Sequence, residues 1–270
     1  MSVLHAIVLG IVQGFTEFLP ISSSGHLQLV PWLFGWDDFA GRPDLEQSFD
    51  VALHLGTLVG AIAYFRRDVW RYAVAGLTDR RSPDGRLAWF LAASAIPAAI
   101  IGALLNDAVA DLGEHEWLIG VLLIVFGIVL LWADRLGGTR ERESYGARDA
   151  LLTGTAQALA FAPGVSRSGA TITMARWLGF DRDAAARLSF LMSLPIIAGA
   201  LLYEGVDVVG DFPPGFVAPF VWGIVASGVT GWFAVWATLR IVRTRSFAPF
   251  VVYRVVVGVI VLGLAASSVR

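Results

Sequence analysis

QGFTEFLPISSSGH, residues 13–26, sets a glutamate, three consecutive serines and a histidine inside otherwise apolar sequence. Far along the chain QALAFAPGVSRSGAT, residues 157–171, repeats the construction: an apolar run, a proline, then a Ser-x-Ser-Gly cluster opening a second apolar run. Ionisable groups at membrane depth cost roughly 2.5–3.5 kcal/mol each on insertion scales, so they mark function. Two such breaks in one chain predict a site assembled from both halves.

The surrounding sequence supports membrane depth. The chain has 270 residues, 56% hydrophobic and 16% charged, with mean hydropathy +0.68. Soluble domains carry about a quarter charged residues, so an integral membrane protein is expected. Ala88–Leu105, Trp117–Ala133, Leu188–Tyr203, Phe216–Leu239 and Val255–Val269 are charge-free and close to the length of a helical span. The alternation of a barrel strand is absent. There is no cysteine, which excludes a disulfide framework, a thiolate nucleophile and a cysteine metal site. There is no lysine either, so any grip on phosphate comes from arginine, hydroxyls, backbone N–H groups or metal. Dinucleotide, P-loop and zinc-protease motifs are missing, and no nucleic-acid partner is expected. The first basic residue is Arg42, so no signal peptide is expected and the chain should begin near Met1.

A shift of 144 positions aligns Gly10 with Gly154, Gln13 with Gln157, Ser22 with Ser166, Ser24 with Ser168 and Gly25 with Gly169, while Pro20 and Pro163 miss by one. This order predicts an internal repeat, about 1–138 and 146–270, joined by the polar segment Asp134–Arg148. Each repeat opens with two short apolar segments: Val3–Phe18 and Ser24–Trp36, then Ala147–Phe161 and Ala170–Phe180. Thirteen helical residues cover only about 20 Å of a core about 30 Å thick. Such pairs read as re-entrant half-helix hairpins, each followed by three full crossings. An odd number of crossings inverts the second repeat. The expected fold is therefore an all-α polytopic membrane protein: one membrane domain of two inverted repeats, with six full transmembrane helices plus two re-entrant hairpins. Arginines concentrate in Arg66–Arg86, Arg135–Arg148, Arg176–Arg187 and Arg240–Arg245, whereas Asn106–Glu116 and Glu204–Gly215 have none. Positive-inside reasoning puts the arginine-rich connections in the cytoplasm and both termini outside. The hairpins then dip in from opposite faces, tip to tip.

Gln13 and Glu17 are four apart on one helix face, as are Ser22 and His26 on the next half-helix. Ser22, Ser23 and Ser24 open that half-helix, where free N–H groups and the helix dipole favour an anion. Ser166, Arg167, Ser168 and Gly169 open its counterpart, with Thr171 one turn beyond Arg167. A phosphate suits this volume. Glu17 and His26 add acid–base or nucleophilic chemistry. Gln13 and Glu17 are candidate ligands for Mg²⁺ or Ca²⁺ bridged to the substrate. Attack by Ser22, Ser23, His26 or water is left open by the residues alone.

The pair QGFTEFLPISSSGHL and PGVSRSGAT resembles the two signature motifs of the undecaprenyl-pyrophosphate phosphatase family (BacA or UppP), and the resemblance extends through FDVALHLGT to essentially the whole chain. It implies hydrolysis of undecaprenyl pyrophosphate to undecaprenyl phosphate and inorganic phosphate, with divalent-metal dependence. It also implies recycling of the cell-wall carrier lipid, bacitracin resistance, and a site opening to the outer face of the bacterial plasma membrane. By position, the family's acidic pair falls on Gln13 and Glu17, its catalytic serine and histidine on Ser23 and His26, and its phosphate-gripping arginine on Arg167. Since Gln13 is a neutral amide, Glu17 must carry any base role.

Asp50 and His54, on the crossing after the first hairpin, are expected behind the site, with His54 read foremost as an interhelical hydrogen-bonder. Arg254 reads as a snorkelling residue at the cytoplasmic face, and Gln157 as a hydrogen-bonder within its hairpin interface. Small polar crossings make a homodimer plausible. The alternative function is a lipid-phosphate flippase or transporter with a midplane site, since broken helices in inverted repeats also build alternating-access carriers. A type-2 phosphatidic-acid phosphatase is discounted because that class needs a lysine-containing motif.

Overall fold

The computed structural model describes residues 1–39, 41–110, 115–208 and 215–267. Positions 111–114 and 209–214 of the expected loops, and the end of the last expected span, lie outside the described residues. Twelve α-helices are described: α1 Val3–Phe18, α2 Ser23–Phe34, α3 Pro43–Tyr64, α4 Arg66–Thr78, α5 Pro83–Ala93, α6 Ala95–Ala110, α7 Glu116–Arg135, α8 Ala147–Ala158, α9 Arg167–Trp177, α10 Arg182–Val208, α11 Val217–Val242 and α12 Ala248–Ala266. No β-strand occurs among the described residues, only an isolated bridge between Arg140 and Phe180.

Five stretches are long and apolar enough to cross a membrane: Pro83–Leu104, Glu116–Arg135, Arg182–Tyr203, Val217–Val242 and Ala248–Ala266. They correspond to the five charge-free runs of the sequence. The sixth expected crossing falls on α3, which passes the same test only together with α4, from which it is bent by 86°. Two causes meet there. Asp50 and His54 lower the hydropathy of α3, and the Arg66-Arg67 pair at the bend carries charge that apolar surroundings disfavour. The chain is a multi-pass helical membrane protein.

Glycine lets the helices approach closely. A methyl group on Gly10 of α1 would lie 2.5 Å from the Gly223 carbonyl of α11. One on Gly154, the equivalent position of α8, would run into the Ser94 carbonyl. Gly60 of α3 meets the Gly228 carbonyl of α11 in the same manner. Such contacts trade side-chain burial for backbone proximity, the usual solution where lipid removes the hydrophobic drive between helices. Around them, Phe18, Ile21, Phe65, Leu130, Ile172, Phe180, Phe190 and Phe247 form the largest buried apolar cluster. Phe18 and Ile21 bring it to the first helix break, and Ile172 belongs to α9.

Candidate active site

Both breaks have the same unusual backbone. Among the described residues, Ser22 (φ 79°, ψ 98°) and Ser166 (φ 76°, ψ 116°) are the two non-glycine residues with positive φ. They stand at equivalent places, immediately before α2 and α9. Such a conformation costs on the order of 1–3 kcal/mol and persists only where the surroundings fix it. Here they do. Ser22 Oγ accepts the Gly164 N–H of the other break at 3.0 Å, and Ser166 Oγ caps α9 by accepting the Gly169 N–H at 3.1 Å. Ser168 Oγ donates to the Leu19 carbonyl at 3.1 Å, tying the second break back to the first.

Arg254 completes the junction and corrects the expectation of a snorkelling side chain. It is fully buried, and its guanidinium donates to the carbonyls of Pro20, Gly164, Val165, Leu122 and Leu123 at 2.8–3.4 Å. A planar fork of five N–H groups suits this fan of acceptors. Turning toward the water would leave the carbonyls of Pro20, Gly164 and Val165 without this donor, so the buried position wins. Gly169 makes room for it, since a methyl there would sit 3.0 Å from Arg254 Nη1.

The two breaks bring Glu17 and Arg167 together across 150 positions. Arg167 Nη2 donates to Glu17 Oε1 at 2.8 Å, and its Nη1 donates to the Ser189 carbonyl at 3.2 Å. Glu17 Oε2 accepts from Ser23 Oγ at 2.6 Å and from Gln13 Nε2 at 3.2 Å. The pair is nearly buried, with the Arg167 side chain 15% exposed and that of Glu17 5%. Ser23 and Ser24 are half-buried at the start of α2, and of the two Ser23 touches this pair.

The remaining expected site residues are placed unequally. Ser22, Ser166, Ser168 and Gly169 spend hydrogen bonds on the junction itself, and Thr171 Oγ1 is buried against Ser189 Oγ at 2.7 Å. His26 does not take the place beside the carboxylate. Its Nδ1 lies 2.7 Å from the Ser22 carbonyl and its Nε2 2.9 Å from the Tyr253 hydroxyl. A carbonyl can only accept, so Nδ1 carries hydrogen and the neutral ring accepts from Tyr253. The imidazole that faces Glu17 is His54, with Nε2 3.6 Å from Oε2, while its Nδ1 lies 2.8 Å from the Asp50 carbonyl. Gln157 Nε2 donates to the Ser94 carbonyl at 2.9 Å, between α5 and α6 and not within its own α8–α9 hairpin as expected. Tyr253 and Ser189 escaped the sequence reading, because nothing in local spacing links α12 or α10 to the breaks. For Arg254 a signal existed: an ionisable residue inside an apolar run.

A buried carboxylate held by a guanidinium, with a hydroxyl donating to it, defines a class: a polytopic membrane protein with a buried polar site where two helix breaks meet. The chain belongs to the bacitracin resistance protein BacA family, whose model matches residues 6–260. It is 48% identical over 270 residues to the undecaprenyl-diphosphatase of Geobacter sulfurreducens, covering 97% of this chain and 98% of that one. It is 44% identical over 274 residues to the undecaprenyl-diphosphatase of a Nocardioides species (98% and 97% covered) and 48% identical over 269 to that of Desulforudis audaxviator (98% of each).

Proposed function

We propose that this chain hydrolyses undecaprenyl diphosphate to undecaprenyl phosphate and inorganic phosphate at the junction of its two helix breaks. The observation that carries this reading is the contact of Arg167 with Glu17 at 2.8 Å while Ser23 Oγ lies 2.6 Å from the same carboxylate. Hydroxyl, base and phosphate-binding cation stand within one hydrogen-bonded group. Family membership and the relatives' activity support the substrate.

In this reading Ser23 Oγ attacks the terminal phosphorus and Glu17 takes its proton. The bond from that phosphorus to the bridging oxygen breaks, and the lipid monophosphate leaves. Water then attacks the phosphoserine, releasing inorganic phosphate and returning the proton to Ser23. Arg167 exchanges part of its hold on Glu17 for the phosphoryl oxygens, where charge neutralisation supplies most of the catalysis of phosphoryl transfer. His26, fixed between Ser22 and Tyr253, holds the strained turn that aims Ser23.

A divalent ion fits the donors present. Gln13 is fully buried, and its Oε1 has no hydrogen-bond partner, an acceptor waiting for a donor or a cation. Among the described residues no three His, Asp or Glu side chains converge. That suits Mg²⁺ or Ca²⁺ held by Gln13 and Glu17 with substrate oxygens and water as the other ligands. When bound, the ion would neutralise phosphate charge.

The reading includes the two repeats being inverted, with α1–α2 and α8–α9 as re-entrant hairpins from opposite faces. The matching backbones of Ser22 and Ser166, and the matching contacts of Gly10 and Gly154, support it. Arginine-rich connections then lie in the cytoplasm and both termini outside, in the bacterial plasma membrane, with the site opening outward. There the product re-enters cell-wall synthesis, and removal of the diphosphate lipid confers bacitracin resistance. Phosphate release by purified protein in detergent, where no compartment exists for transport, tests hydrolysis against lipid carriage. Wild type should release phosphate from undecaprenyl diphosphate and Arg167→Ala should not; equal rates, or none from either, would overturn the reading.

A further inference from the structure

We infer that α4 is an in-plane anchor that binds anionic phospholipid headgroups through Arg66 and Arg67, with Trp70, Val74 and Leu77 among the acyl chains. α4 leaves α3 at 86°, so a helix that follows an upright α3 runs along the membrane surface. Four of its first six residues are charged, namely Arg66, Arg67, Asp68 and Arg71, which keeps it out of the hydrocarbon core. One face is covered by protein. Tyr72 shares a buried cluster with Leu87 and Leu91 of α5, and Trp89 Nε1 of α5 donates to the Gly76 carbonyl at 3.0 Å. The other face is bare and apolar. Trp70 is 74% and Leu77 77% exposed, and Val74 is exposed between them in the same helical stripe. An apolar stripe carrying tryptophan, edged by arginine, is how a helix lying in the bilayer interface is built.

The charges select the headgroup. Residues 66–86 hold six arginines and three aspartates. Asp68 pairs with Arg71 at 3.0 Å and Arg142 at 3.7 Å, and Asp84 with Arg71 at 3.5 Å. Asp79 accepts the backbone N–H groups of Arg81 and Ser82. The three carboxylates are thereby committed within the protein. Among the described residues Arg66 and Arg67 have no carboxylate partner, and Arg66 donates only to the Ala63 carbonyl, at 3.3 Å. They stand one helical turn before Trp70, on either side of its indole. A lipid phosphate between the two guanidiniums supplies the missing negative charge, and the chains below it cover the stripe. Arg80, 4.9 Å from the centre of the Trp89 ring, adds a neighbouring cation. A second copy of the chain could cover the stripe as well, but across a two-fold interface it would set these arginines against their own like charges.

Two measurements on the full chain test this. The chain has no cysteine, so a spin label on Leu77→Cys reports a single position. In vesicles of phosphatidylcholine and phosphatidylglycerol the label should be relaxed by oxygen, which dissolves in lipid, and shielded from a water-soluble nickel chelate. Access by nickel, or dipolar broadening from a label on a second copy, overturns the inference. Native mass spectrometry with both lipids present should show wild type retaining phosphatidylglycerol over phosphatidylcholine. The double variant Arg66→Gln, Arg67→Gln should bind phosphatidylglycerol about thirtyfold more weakly, at about fivefold per arginine. The double variant Arg135→Gln, Arg245→Gln, which removes the same charge from two other exposed positions, should bind it as wild type does. Equal retention of the two lipids by wild type, or equal weakening in both double variants, overturns the inference. The label and the wild-type lipid comparison decide the matter even where a double variant fails to fold.

Discussion

Replacing Arg254 by methionine should damage the active site from a residue for which the structure records contact with neither Glu17 nor Ser23. Of the five carbonyls that Arg254 serves, those of Leu122 and Leu123 lie within α7 and have helical donors of their own. Those of Pro20, Gly164 and Val165 lie in the two breaks. Leaving three buried acceptors without this donor costs about 1–3 kcal/mol each. Relief from burying a charge offsets several kcal/mol of that sum. The net loss of stability should be about 2–4 kcal/mol. The catalytic loss should be larger, because the strained turns before Ser23 and Arg167 are fixed by these bonds, and misplacement by about 1 Å costs on the order of 10²-fold in rate. Arg254→Lys keeps the charge but offers one donor centre in place of a fork, and should fall between wild type and Arg254→Met. Thermal unfolding in detergent and phosphate release on the same samples would check this. An Arg254→Met protein with wild-type unfolding temperature and wild-type kcat/KM would refute the reasoning.

Two neighbouring serines should separate cleanly. Ser23→Ala should lower kcat by at least about 10²-fold with little change in unfolding temperature. Ser22→Ala should instead cost about 1–3 kcal/mol of stability, since the buried Gly164 N–H loses its acceptor; reversed phenotypes in the paired assays would contradict the assignment. Gly60→Val should push α3 off the Gly228 carbonyl of α11 and destabilise the protein by about 1–3 kcal/mol or more, visible as a lowered unfolding temperature. An unchanged temperature would mean the helices do not approach as described.

The sequence was most legible where one residue type has few uses. Proline followed by Ser-x-Ser-Gly marked both breaks, and α1, α2, α8 and α9 begin and end close to where those signals put them. Glu17 and Arg167 stood out because a charge inside an apolar run must find a partner, and each proved to be the other's. What stayed hidden depends on packing between distant helices. The sequence puts His26 beside the carboxylate and His54 behind the site, and only the packing of α3 against α1 decides that His54 faces Glu17. Arg254 was misread because snorkelling and loop-clamping look identical along a helix; the difference lies in carbonyls contributed by three other segments. The bend between α3 and α4 was missed for a similar reason, since Phe65 is buried in the core and carries no breaker signal.

The central claim is that Glu17 and Arg167 work as one unit across the two breaks. A double-mutant cycle on kcat/KM for phosphate release, with Glu17→Gln, Arg167→Gln and both together, tests it most directly. Each single change should cost at least about 10²-fold, and the double variant should be little worse than the poorer single one. Penalties that simply multiply would mean that the two residues act in separate places.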